Sequence, residues 1–341
     1  MSRADVTLPA PPQFPIARGS AGPAPPRRPG SIRRTTSIDS EWPDGFGRSG
    51  MMTGRARDLV TDFAGEAAEL AAGAFHIRAS PLRAIEEIDV TPAHPRGSHL
   101  IGVRAGGASR SALVDALGDC RGSPLFQLLD DFSGASLVAK WIWSAWADDA
   151  LAPRDEGDAA ARRRRMVNIC TGFAEGASSL TGDGGIDAPS SVEVGSLIDP
   201  ADPLGWHAMA DAPGRPHARR ARRIDIWRAE GVLNVDAGFQ DSGSHPGGGR
   251  SAIHEYRVHA EIDEVDGCLA ALQILPLALP FRECPGAAIK AARMIGQPVA
   301  AFRQSTLEFL PGTLGCTHLN DVLRSFADIP LLAKSLPDAP R

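Results

Sequence analysis

A thiol, an imidazole and a carboxylate stand within the seven residues Gly315-Cys316-Thr317-His318-Leu319-Asn320-Asp321, and a second thiol precedes them in Glu283-Cys284-Pro285. Thiolate and imidazole are borderline-soft ligands, which suit zinc or iron better than magnesium or calcium. Cys316 and His318 are two residues apart, so both can face one ion if they occupy the loop that opens a helix. Gly315 supplies the turn there, and the unbonded amides of a first helical turn lower the pKa of a nearby thiol. Cys284 stands just before Pro285, a residue suited to the first position of a helix. Asp241 and His254, at the close of one expected strand and the start of the next, are candidates for a further ligand. Asp321, one helical turn after Cys316, either coordinates or fixes the tautomer of His318. The expected metal site is drawn from Cys284, Cys316, His318, Asp321, His254 and Asp241, with zinc or iron as the ion. No C-x-x-C spacing singles these residues out, so a core in which Cys284 and Cys316 merely fill space competes with that reading.

To bring these groups together the chain needs strands that meet at Asp241 and His254 and helices that begin at Cys284 and Cys316. Alternation and turn residues predict strands at Arg33–Asp39, Met51–Thr61, Glu69–Ala79 and Leu82–Val90, then helices at Ser109–Leu117 and Leu125–Asp131. The second half repeats this order. Strands are expected at Arg222–Trp227, Val232–Asp241, Ile253–Ile262 and Leu269–Leu279, and helices at Gly286–Ile295, Val299–Phe309 and Leu319–Phe326. Small anchors match between the halves: Arg33-Arg34 with Arg222-Arg223, Asp58 with Asp241, Gly122 with Gly315, and Leu137-Val138-Ala139-Lys140 with Leu331-Leu332-Ala333-Lys334. Their offsets stay between 183 and 194, as two copies with small insertions require. On this alignment Ser123 stands where the second copy has Cys316.

The expected fold is α+β, two diverged copies of an antiparallel sheet covered by helices. Residues 1–30, with eight prolines and four arginines, read as a disordered tail. Residues 31–146 are the first copy, without a site; 147–217 are a partly ordered linker; and 218–335 are the second copy, which carries the site. The linker contains Cys170 and His207, which either fold back over the site or belong to a mobile connector.

At 341 residues, 43% hydrophobic and with a net charge of −5, the chain is long enough for two domains. Its longest nearly apolar run, Cys268 to Phe281, is too short to cross a bilayer, so a cytoplasmic location is expected. Five cysteines form no disulfide framework and read as thiols of a reducing compartment. The basic clusters Arg162–Arg165 and Arg215–Arg223 could touch phosphates, but the net acidity and the lack of interleaved aromatics argue against nucleic acid. His254 and Glu255 are strand neighbours that point to opposite faces. Gly247-Gly248-Gly249 reads as a hairpin loop, and there is no G-x-S-x-G nucleophile elbow. These features describe a soluble metal-binding protein, a metal or cluster carrier with a metal-transfer partner. The alternatives are a metal- or thiol-dependent enzyme acting on a small molecule held between the copies, with His318 or His254 as base, and a structural or partner-binding protein.

From Arg33 to Ala333 the chain resembles a bacterial family of unknown function. The resemblance lies in Arg33-Arg34-Thr35-Thr36, Ser123-Pro124-Leu125, Leu128-Leu129-Asp130-Asp131, Arg222 to Trp227, His254-Glu255-Tyr256, Glu283-Cys284-Pro285 and Gly315 to Asp321. The second half also resembles iron–sulfur scaffold proteins of the NifU type. There, antiparallel strands are followed by a cysteine before an alanine-rich helix, as at Cys284 with Ala287, Ala288, Ala291 and Ala292, and by a last cysteine before a final helix, as at Cys316. The resemblance implies a sheet covered by helices and thiolates holding zinc or a nascent cluster. The scaffolds carry a further cysteine in the first hairpin, where Arg228 to Gly231 has none, and place a histidine before the last cysteine, not after it.

Overall fold

A computed structural model describes residues 11–147, 156–180, 190–209, 212 and 214–338. The first ten residues of the expected tail, and residues 148–155, 181–189, 210, 211 and 213 of the expected linker, lie outside the described residues.

The first half is an antiparallel meander of β1 (Ser31–Glu41), β2 (Gly50–Thr61), β3 (Ala67–Ala79) and β4 (Ile85–Thr91). It is followed by α1 (Gly107–Leu117), α2 (Pro124–Ala135) and α3 (Ala139–Ser144). The connector holds α4 (Glu156–Met166) and a short β5 (Val192–Val194). A second meander, β6 (His217–Ala229), β7 (Val232–Ser244), β8 (Arg250–Asp263) and β9 (Leu269–Ala278), precedes α5 (Gly286–Lys290), α6 (Phe302–Phe309), α7 (Thr317–Ser325) and α8 (Ile329–Leu332). The expected element order is therefore observed. The two meanders form one sheet: β1 pairs antiparallel with β6, and the order runs β4-β3-β2-β1-β6-β7-β8, with β9 and β5 sharing the far side of β8. Among the described residues no helix is long and apolar enough to cross a membrane.

The two central strands are buried on both faces, a position that ordinarily selects runs of Val, Ile and Leu. Here they carry Arg33, Arg34, Arg219, Arg220, Arg222 and Arg223, all buried. Alternation divides them between two layers. Arg34, Arg220 and Arg222 meet Asp58, Asp131, Asp241, Asp321 and Asp328 on the helical side. Arg33, Arg219 and Arg223 meet Asp225, Asp39 and Asp236 on the other. A buried guanidinium is tolerated only when paired, and each of these has its carboxylate. The cluster Arg215–Arg223, weighed above as a phosphate contact, is largely internal.

Apolar packing fills the rest of the helical side. Ile224, Val235, Val258, Phe302, Leu319 and Phe326 belong to a core under the second half; Ile38, Phe75, Leu125 and Phe132 belong to one under the first. Gly73 lets α2 lie directly on β3, since a Cβ there would stand 2.6 Å from the Leu125 backbone nitrogen. The two layers are cross-linked. Arg34 of β1 reaches Asp328 beyond α7, and Arg222 of β6 reaches Asp131 on α2 with both outer nitrogens.

Residues 11–30 differ from the expected disordered tail. Their backbone pairs at Phe14 with Arg282, Gly19 with Leu277 and Ala24 with Leu197. Ala24 packs with Trp206 and Ala221 on the face of the sheet opposite the helices. Proline-rich sequence lowers the entropy lost on ordering and leaves few amides to satisfy, so the segment can cover a sheet face without regular structure. His207, also from the connector, inserts on this face between Thr35 and Ser37 of β1, at 2.9 and 2.7 Å, and does not approach the expected site.

Candidate functional site

Asp241 and His254 are directly opposed partners on β7 and β8, beside a bulge between Asp241 and Ser242. Directly opposed residues share a face and lie close, and a bulge re-aims the side chains next to it. The register runs unbroken from Val232 opposite Asp263 to Asp241 opposite His254, which puts the last residue of one predicted strand against the start of the next. His318, in the first turn of α7, completes the group: one ligand atom from each of Asp241, His254 and His318 lies within 4.8 Å of the others. His318 Nε2 is 3.5 Å from Asp241 Oδ2, and the two imidazoles stack with centroids 3.4 Å apart and planes 16° from parallel.

Burial pushes both imidazoles well below their ordinary pKa; for His254 the neighbouring His318 adds to this, and for His318 the guanidinium of Arg220 does. Both are neutral at physiological pH. His254 Nδ1 and His318 Nε2 are buried with no hydrogen-bond partner among the described residues. Buried polar atoms are almost always satisfied, and leaving one unmade costs about 1–3 kcal/mol. Two such atoms, side by side and next to a carboxylate, form a set of donors suited to a divalent ion.

Arg220 controls that carboxylate. Its Nε and Nη2 donate to both oxygens of Asp241 at 2.8 and 2.9 Å, and its Nη1 donates to Asp321 at 2.8 Å. Asp321 also accepts from Arg110 at 3.0 Å. Asp321, expected as a ligand or as the partner of His318, is instead a counter-ion in the arginine network. Its position one turn into α7 points it at the sheet, where Arg220 claims it.

Cys316 is the N-cap of α7, in the extended conformation expected of a helix-opening residue. Its sulfur is 3.9 Å from His318 Nδ1 and accepts from the Tyr256 hydroxyl at 3.4 Å. The sequence suggested a lowered thiol pKa. Burial raises it instead, outweighing the hydroxyl of Tyr256 and the first amides of the helix. Cys284 lies just before α5 and its neighbour is Cys170: the connector does fold back, through Thr171 N–H to the Gly315 carbonyl at 2.8 Å. Of the six expected ligands, three converge, Cys316 stands beside them, and Cys284 and Asp321 make other contacts. Arg220 and Tyr256 were not foreseen. The hint for Arg220 was its spacing of two from Arg222, Ile224 and Ile226, which puts all four on one face of a strand extended toward the N-terminus.

Residues 217–331 match the family described as Protein of unknown function (DUF2889). This segment runs from β6 into α8 and contains Asp241, His254, Cys284, Cys316, His318 and Asp321. No curated protein matches the chain. No solved structure matches it either.

Proposed function

We propose that the protein holds one zinc or iron ion between β7, β8 and α7, with His254, His318 and Asp241 as ligands and Cys316 within reach as a fourth. The observation that carries this reading is the pair of orphaned, neutral imidazole nitrogens, His254 Nδ1 and His318 Nε2, beside a carboxylate in a buried setting. Stacked rings have parallel lone pairs, so binding turns one imidazole out of the stack, and the ion shares Asp241 with Arg220. His318 exposes only 13% of its side chain and Asp241 none. An ion so enclosed exchanges only when α7 moves, which favours a retained ion over the freely surrendered cargo of a metal or cluster carrier. Kinship with NifU-type scaffolds finds support only in the helix-start positions of Cys284 and Cys316.

A duplication is part of the same proposal. Arg34 donates to both oxygens of Asp58 directly across β1 and β2, as Arg220 does to Asp241 across β6 and β7, and a bulge follows each aspartate. Ser123 occupies the N-cap position of α2 as Cys316 occupies that of α7, with a capping hydrogen bond only from Phe126 N–H to Ser123, and Ala71 faces Asp58 where His254 faces Asp241. The first half thus has the frame without the ligands.

Cobalt(II), a spectroscopic stand-in for zinc, tests the reading. About one equivalent should bind the anaerobic full-length protein with visible d–d bands, lost in His254→Ala and in His318→Ala. Absence of those bands, or their survival in both variants, refutes it. A second reading, thiol chemistry, draws on the proximity of Cys316 Sγ to His318 and of His318 to Asp241, at 3.9 and 3.5 Å. It requires rapid alkylation of Cys316 that slows in His318→Ala, against the raised thiol pKa.

A further inference from the structure

The helices of the two halves do not close completely on one another. Between α1 and α2 of the first half and α6, α7 and α8 of the second lies a crevice of about 970 Å³, the size of a small-molecule site. Its floor is ionic. Asp130 accepts from Arg303 at 2.5 Å and from Arg324 at 2.7 and 2.8 Å. Asp328 accepts from Arg303 and from Arg34, each at 2.8 Å. Each of these carboxylates already serves two guanidinium groups.

Donors, by contrast, are left over. Arg110 and Arg324 both line the crevice, and the Nε of each is buried with no hydrogen-bond partner among the described residues. Arg110 spends its Nη2 on Asp321 at 3.0 Å, and Arg324 is only 4% exposed, so water does not readily supply what is missing. Arg121, exposed on the same lining, has no side-chain partner among the described residues. The unmet buried atoms of the crevice are N–H groups, and their complement is a ligand that accepts hydrogen bonds.

The walls set the rest of the ligand's chemistry. Val114 of α1, Leu307 of α6 and Leu331 of α8 are 37%, 39% and 48% exposed, and all three line this one space. Phe126 lies among them, with the Arg303 guanidinium 5.0 Å from its ring centre. Apolar side chains left exposed on three helices that converge in one crevice mark a binding surface. The exposed carboxylates of Asp115 and Glu308 share the lining, and with Asp130 and Asp328 they equal the four arginines in number. No excess positive charge remains to hold a doubly charged phosphate, whereas a monoanion needs only the free N–H groups and the unpaired Arg121.

We propose that this crevice binds an amphipathic carboxylate, with its head among Arg110, Arg121 and Arg324 and its hydrocarbon body against Val114, Leu307 and Leu331. Binding is non-covalent. The site shares no residue with Asp241, His254 and His318 and stands whether or not they hold a metal. Its walls come from both halves, so neither half makes it alone.

Octanoate, titrated calorimetrically into the full-length protein, tests the proposal. One octanoate should bind per chain, with octanol and inorganic phosphate each at least about tenfold weaker, since one lacks the charged head and the other the apolar body. Arg121→Gln and Leu331→Gln alter exposed residues, one from each half, and each should weaken octanoate by about tenfold. His254→Ala should leave the affinity unchanged, which lets this site and the histidine site fail separately. The absence of saturable heat up to about 1 mM octanoate in the wild-type protein overturns the proposal without any variant having to fold. Octanol or phosphate binding as tightly as octanoate overturns it too, as does an affinity unchanged in both Arg121→Gln and Leu331→Gln.

Discussion

Arg220→Met removes the guanidinium that binds both oxygens of Asp241, a residue with no solvent exposure. Asp321 keeps Arg110, but Asp241 is left as a buried carboxylate whose nearest polar neighbours are two neutral imidazoles. Breaking a buried ion pair by removing one partner costs about 3–5 kcal/mol, a large part of the roughly 5–15 kcal/mol that holds a folded protein. With a urea m-value of about 3 kcal/mol/M, the midpoint should fall by about 1 M or more. The stranded carboxylate escapes its charge by taking up a proton, so the gap to wild type should narrow as pH falls from 7 toward 5. Arg220→Met with Asp241→Asn should recover at least half of the loss, since no charge is then stranded. Divalent metal should also restore stability to the single variant, because Asp241 is released to the ion; about 2.7 kcal/mol is expected at one hundred times Kd. A loss below about 1 kcal/mol that is flat in pH, the behaviour of an exposed pair, would refute the description of Arg220 as the internal counter-ion of the site.

Two further perturbations probe the same frame. Gly134→Ala on α2 should destabilise the fold by about 1–3 kcal/mol, although alanine is the better helix former by about 1 kcal/mol, because the added Cβ runs into the Arg220 guanidinium and comes to 2.5 Å from Asp321 Oδ2. Gly107→Ala on α1, where a Cβ meets nothing within 4 Å, is the control and should be neutral or stabilising; thermal melts that rank the two oppositely would contradict the packing. His207 is held down to about 4, against 6.5, chiefly by burial and then by Arg57. The unfolded chain therefore takes up this proton first, and stability should fall by up to about 3 kcal/mol as pH drops from 6.5 to 4, with no contribution from this residue above that window. His207→Gln should flatten that part of the pH profile in urea titrations; an unchanged slope would assign the acid sensitivity elsewhere.

Most of the element order could be read from the chain because the strands of each meander alternate and their turns carry glycine. The helix starts at Cys284 and Cys316 could be read for a related reason: a residue before proline or after glycine punctuates the backbone locally. Partnership could not be read in this way. Cys316 and His318 were close by sequence, but whether Asp241 and His254 joined them depended on the register of β7 against β8, and a shift of one residue would have turned His254 to the other face.

The sequence by itself determined the chemical inventory: the thiols, imidazoles and carboxylates of the second half, the alternation that makes strands, and the residues that open helices. The pairing of β1 with β6 decided the rest. It fused two meanders into one sheet and buried six arginines at its centre, so that a cluster legible only as positive charge became the set of counter-ions that positions Asp241. It also left a sheet face that residues 11–30 cover, and the connector returned Cys170 to Cys284. These are long-range outcomes, set by which surfaces must be covered once the sheet has closed, and no local pattern of residues encodes them.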